Sequence, residues 1–112
     1  MRIIPVLFGA LAASGCSQLF GSSLVVLNAS HNELRDIKIR IADKEVLVRD
    51  DLDEGQRISA RAYPSGDGVM SLEYRQGKSL KSYEVSYVTP GIITRCVVRI
   101  YDIRAVKSCH SE

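Results

Sequence analysis

Three kinds of residue in this chain could do chemistry: three cysteines, two histidines, and arginines that recur at short intervals. Cys16 follows a run of small residues and admits three readings: a core thiol, half of a disulfide, or an attachment point. His31 opens the stretch His31-Asn32-Glu33-Leu34-Arg35. That stretch lacks the second histidine of a zinc-binding H-E-x-x-H helix. His110 sits beside Cys109, and a Cys/His metal site needs more ligands at workable spacing. Both histidines are expected at the surface.

The acids Asp50, Asp51, Asp53 and Glu54 invite a calcium reading. An EF-hand loop needs an oxygen ligand at position 5 and glycine at position 6. Counted from Asp51, position 5 is Gly55, so the pattern fails and a solvated loop is expected. One acidic loop also does not supply the cleft and set separation of a glycosidase carboxylate pair. No G-x-S-x-G, P-loop or glycine-rich dinucleotide turn occurs, and neither histidine lies in a nucleophile motif. The residues point to a non-catalytic protein with no cofactor and no metal.

The arginines are more informative. Arg57 and Arg61 fall on one face of a strand, and Arg95 and Arg99 fall on one face of another. Lys38 and Arg40 do the same on a third. If these strands adjoin in one sheet, its outer face is basic. That would suit anionic lipid headgroups or an acidic partner. The plainer alternative is a solvated face that discourages edge pairing. Arg57, Arg61, Arg95 and Arg99 are the candidate binding residues. The whole chain carries 15 Lys/Arg against 13 Asp/Glu, a net charge of +2. That balance argues against a nucleic-acid partner, which favours a strongly basic stripe.

The first fifteen residues have a different character. Arg2 is the only charge before residue 31, and Ile3 to Ala13 is apolar apart from Pro5 and Gly9. Eleven helical residues reach about 16 Å, against roughly 30 Å of bilayer hydrocarbon, so the segment is too short to span. A positive end, an apolar middle and then small residues is the order of a secretory signal peptide. The stretch Ala13-Ser14-Gly15-Cys16 resembles the lipobox of bacterial lipoproteins. Ala13 stands where that family usually has Leu.

The resemblance covers only these sixteen residues. It implies that residues 1–15 are removed, that Cys16 is lipidated and becomes the first mature residue, and that several acyl chains (palmitate among them) give stable membrane attachment. Ser17, which is not Asp, implies sorting to the outer membrane by analogy with enteric bacteria. Residues 16–23 would then be the lipidated Cys and a tether, leaving residues 24–112 as the folded domain.

If Cys16 is the anchor, Cys96 and Cys109 remain in an exported domain, where two thiols invite pairing. The alternatives are two buried free cysteines or an intermolecular bond. A redox-active pair is not expected, because C-x-x-C spacing is absent.

These side chains must be positioned by β-structure. No 3.6-residue apolar repeat is sustained after Ser23, whereas period-two alternation recurs between turn signals. Strands are expected at Leu24–Asn28, around Ile37, Ile39 and Ile41, at Glu45–Arg49, and around Ile58, Ala60 and Ala62. Further strands are expected around Met70, Leu72 and Tyr74, around Tyr83, Val85 and Tyr87, at Ile92–Ile100, and near Ile103–Lys107. Residues 30–36 read as a loop with room for one helical turn.

Seven or eight short strands indicate an all-β antiparallel, immunoglobulin-like sandwich, with a small β-barrel as the alternative. The Cys…Trp…Cys pattern of true immunoglobulin domains is missing, since the chain has no Trp. Two functions suit such a domain at a membrane. One is a protein-binding or assembly component at the periplasmic face. The other is an inhibitor or immunity-type lipoprotein that blocks an enzyme with the loop at Asp50–Gln56, Pro64–Gly68 or Thr89–Ile92. A carbohydrate platform is disfavoured by the lack of Trp.

Overall fold

The computed structural model describes residues 21–111. The expected signal peptide, Cys16 and residues 17–20 lie outside the described residues. Eight strands follow in chain order: β1 Ser22–Asn28, β2 Leu34–Ile41, β3 Lys44–Leu52, β4 Arg57–Ala62, β5 Gly68–Gln76, β6 Ser79–Val88, β7 Thr94–Ile100 and β8 Ala105–Ser111. They form two four-stranded sheets, one in the order β4-β1-β7-β8 and the other in the order β3-β2-β5-β6. The sheets pack face to face as a sandwich and do not close into a barrel.

The alternation that marks the strands also builds the core. Most strands send every second side chain inward, and register irregularities break the alternation in β2, between Leu34 and Ile37, and in β6, between Val85 and Val88. Leu24 and Val26 of β1, Ile37, Ile39 and Ile41 of β2, Leu72 and Tyr74 of β5, and Val98 and Ile100 of β7 are all buried. The Tyr74 ring stacks against Tyr83 at 6.0 Å between centroids. Burial, reinforced by Tyr83, holds the Tyr74 hydroxyl well above the usual phenol range.

The turns follow from residue chemistry. The β2–β3 hairpin closes on Ala42 and Asp43, both at positive φ (54° and 66°), the requirement of a two-residue type I′ loop. Gly77, at φ 61°, opens the β5–β6 turn. In Thr89-Pro90-Gly91, Pro90 presets its own φ and Gly91 takes φ 87°, while the Ile92 amide donates to the Thr89 carbonyl at 3.3 Å, as a type II turn demands.

Four expectations need correction. Ser22 and Ser23 belong to β1 and not to the tether: both are buried, and the Thr94 amide donates to Ser22 Oγ at 3.1 Å. Residues 30–36 contain no helical turn, and β2 already starts at Leu34. Strand β7 begins at Thr94, because Ile92 is taken up by the turn at Pro90. Ile103 is not in a strand and is 94% exposed. The Tyr101 amide donates to the Arg104 carbonyl at 2.7 Å, so residues 101–104 form the hairpin turn and β8 runs later than expected, to Ser111.

The sandwich is also not purely antiparallel. β1 runs parallel to β7, from Ser23 beside Arg95 to Asn28 beside Ile100. This is possible because β1 and β7 are far apart in sequence and belong to different hairpin sets.

Candidate functional site

The register of the first sheet decides how its outward side chains assemble. Ser23 of β1 pairs with Arg61 of β4 on one side and Arg95 of β7 on the other. Leu27 of β1 lies in the same way between Arg57 and Arg99. Between these two rows, Ser59, Val25, Val97 and Ser108 stand side by side across the four strands. All four candidate arginines therefore share one outer face, on the two strands β4 and β7 that flank β1. Arginines in one row are two strand spacings apart, about 10 Å, and those on one strand are four residues apart, about 13 Å.

No Asp or Glu occurs in any of the four strands of this sheet. His110 extends the first row opposite Arg95, and Val106 extends the second opposite Arg99. Lys107 points the other way: its Nζ donates to the Val85 carbonyl of β6 at 2.9 Å.

Lys38 and Arg40 do not join this face. They lie on β2 in the second sheet, where Lys38 pairs with Glu73 and Arg40 with Glu45. Those are strand-register neighbours, and two ion pairs lie on or beside that sheet: Arg35 Nε–Glu33 Oε1 at 3.0 Å and Arg75 Nε–Asp36 Oδ2 at 3.3 Å. One broad face is thus charge-balanced and the other is cationic.

The seam between β1 and β4 is recessed. Gly21, Ser23 and Ser59 are small and leave a shallow groove of about 590 Å³, walled by Arg61, Tyr63 and Val25. A second depression of about 320 Å³ continues it past Val25 and Ser59 to Arg57. A Cβ at Gly21 would come within 3.1 Å of Arg61 Cγ, so glycine there keeps one end of the groove open.

Cys96 and Cys109 pair directly across β7 and β8, with an S–S distance of 2.17 Å. Cys96 is buried and Cys109 lies at the sheet edge, where its Sγ is 3.8 Å from the Val85 carbonyl. The bridge fastens the last strand beside the basic rows.

The acids read as a possible cation loop divide between two elements. Asp50 and Asp51 lie in β3, while Asp53 and Glu54 lie in the turn that follows. Among the described residues, no three His, Cys, Asp or Glu side chains are grouped to hold a metal ion. The three loops considered for enzyme inhibition do not form one surface. Strand directions put residues 53–56 at one end of the sandwich, and residues 63–67 and 89–93 at the other. His31 is at the surface, and its Nδ1 meets Asp102 Oδ2 at 2.8 Å. The hydrogen bond to Asp102, that carboxylate's charge and the more distant Glu54 raise the His31 pKa above 6.5.

Sequence reasoning missed a buried polar hub beside this end. Asn28 Nδ2 donates to the carbonyls of Asn32 and Leu52, each at 2.8 Å. Its Oδ1 accepts from the Ser30 amide at 2.9 Å and from Ser30 Oγ at 2.6 Å. Asn at the end of a strand can support a turn by accepting from the backbone amide two residues on, and Asn28 before the polar loop carried that signal.

No protein-family model matches the chain, and no curated protein sequence matches it. Among solved structures, the chain is similar to a protein from Eubacterium rectale determined by NMR, at 13% identity and a TM-score of 0.53. The match covers 72% of this chain and 79% of the other. Likeness at that identity speaks to the sandwich fold alone.

Proposed function

We propose that this chain is a non-catalytic lipoprotein of the bacterial envelope that binds a partner protein at the periplasmic face of the outer membrane. The observation that carries the binding role is the acid-free outer face of the first sheet, with Arg57, Arg61, Arg95 and Arg99 in two rows around Val25 and Val97. Arginine is the side chain of choice for recognising carboxylates, because its planar fork bonds them in pairs of hydrogen bonds. A face held flat by strand pairing presents four such forks without ordering a loop.

The address is supported by the lipobox-like Ala13-Ser14-Gly15-Cys16. With β1 starting at Ser22, five residues separate Cys16 from the first strand, a reach of at most about 18 Å. A domain on so short a leash stays beside the membrane, where its partner would meet it. The inhibitor alternative would use one loop, at Asp50–Gln56, Pro64–Gly68 or Thr89–Ile92.

The test is labelling of the full chain in cells with radioactive palmitate, followed by fractionation. Incorporation that disappears in Cys16→Ser, together with release of that variant from membranes, supports the reading. Absence of label from the native protein, or a Cys16→Ser protein that still sediments with membranes, overturns it.

A further inference from the structure

We propose that the β1–β4 groove seats an extended acidic segment of a protein, with Arg57 and Arg61 taking its carboxylates. This deepens the binding role above and rests on it. Two observations favour a peptide strand. The first is spacing. Arg57 and Arg61 are four residues apart on one strand, about 13 Å, which is also the distance between carboxylates at positions i and i+4 of an extended chain. A segment laid along the seam keeps both pairs in register.

The second observation is relief. The floor is made low by Gly21, Ser23 and Ser59 and has an apolar side at Val25, with Tyr63 at one end. A depression with an apolar wall accepts a side chain from a peptide. A surface of phosphate headgroups gains nothing from it. Charge alone would attract either, so the groove is the discriminating feature.

The test uses the full chain, as purified from the cells that express it, in zwitterionic detergent micelles. Two probes are used: a fluorescein-labelled decapeptide with Glu at every second position and one central Leu, and labelled inorganic polyphosphate. Ser59→Tyr fills the groove without changing charge, at an exposed outward position on a strand that tolerates aromatics. It should weaken the peptide at least tenfold and leave polyphosphate unchanged. Arg57→Ser with Arg61→Ser should weaken both.

Equal peptide affinity in native and Ser59→Tyr protein overturns the proposal, and so does native protein that prefers polyphosphate over the peptide at matched charge. A circular-dichroism melt of each variant confirms that the comparison is between folded proteins. Failure of the parent reading is seen separately: it would show as undiminished membrane attachment in Cys16→Ser, which leaves the peptide titration untouched.

Discussion

Arg61 and Arg95 flank Ser23 from opposite sides, although thirty-four positions separate them in the chain. The parallel pairing of β1 with β7 creates this relationship, and it joins two arginine pairs into one basic face. Exposed charges of this kind act mainly on association rate and partner choice and are screened by salt. Replacing Arg61 and Arg95 with Glu should slow association with an acidic partner at least tenfold at low ionic strength. The difference should shrink as salt rises past about 0.15 M, where the screening length is about 8 Å. Stopped-flow or biolayer kinetics across a salt series would check this.

The Cys96–Cys109 bridge encloses a chain segment with a sequence separation of 13. Closing a loop of this size in the unfolded chain is worth about 3 kcal/mol in the entropy model. Cys96→Ala with Cys109→Ala should lower unfolding free energy by about 2–3 kcal/mol in urea titration. Hydrogen exchange should rise first in β8, which pairs with β7 alone.

Asn28 is fully buried and joins β1, the β1–β2 loop and the end of β3. Asn28→Ala leaves the Leu52 carbonyl and the Ser30 amide without that partner, while the Ser30 hydroxyl keeps its bond to the Asn32 carbonyl. Each unsatisfied buried group costs about 1–3 kcal/mol. A loss of about 2–4 kcal/mol is expected by chemical denaturation, far more than from an exposed polar-to-alanine change such as Ser108→Ala.

Gly68 lies against the β2–β3 turn, where an added Cβ would meet Ala42 Cα at 2.6 Å. The obstruction is backbone and cannot swing away. Gly68→Ala should destabilise by about 1–3 kcal/mol, read as a lowered denaturant midpoint with an unchanged slope.

The loops holding His31 and Asp102 are joined by a pH-dependent contact. Asp102 raises the His31 pKa above 6.5, and the His31 amide and ring hold the Asp102 carboxyl below 3.8. The histidine's contribution is complete below its unfolded value of 6.5 and is lost as pH rises through its higher folded value. The aspartate's contribution is present above 3.8 and is lost as pH falls through its lower folded value. The contact is therefore tightest between about pH 4 and 6.5. An NMR titration should show His31 above the ordinary imidazole value and back near it in Asp102→Asn. Equal titration curves for the two proteins would contradict this.

Period-two alternation made the strands legible, because it reports directly which side chains are inside: Ile37, Ile39, Ile41 and Met70, Leu72, Tyr74 are all buried as their spacing implies. The same period says which residues share a face of one strand and nothing about which strands adjoin. The basic face was thus visible only in pieces, and Lys38 and Arg40 could not be told apart from Arg57 and Arg61 until strand order separated the sheets. Ser22 and Ser23 read as tether because serine is at home in linkers, yet both are buried: Ser23 is paired on both sides, and Ser22 pairs with β4 and accepts from the Thr94 amide. Ile103 read as strand on composition, but the tight turn between paired cysteines on adjacent strands leaves it in solvent.

The most direct measurement is site-specific photo-crosslinking in intact cells, from a photoreactive residue at position 97 in the centre of the basic face and from one at position 73 on the opposite sheet. The account predicts one discrete protein adduct from position 97 that disappears when Arg57, Arg61, Arg95 and Arg99 are changed to Ser, and none from position 73. The same adduct from both faces, or one from position 97 that survives loss of the four arginines, would contradict it.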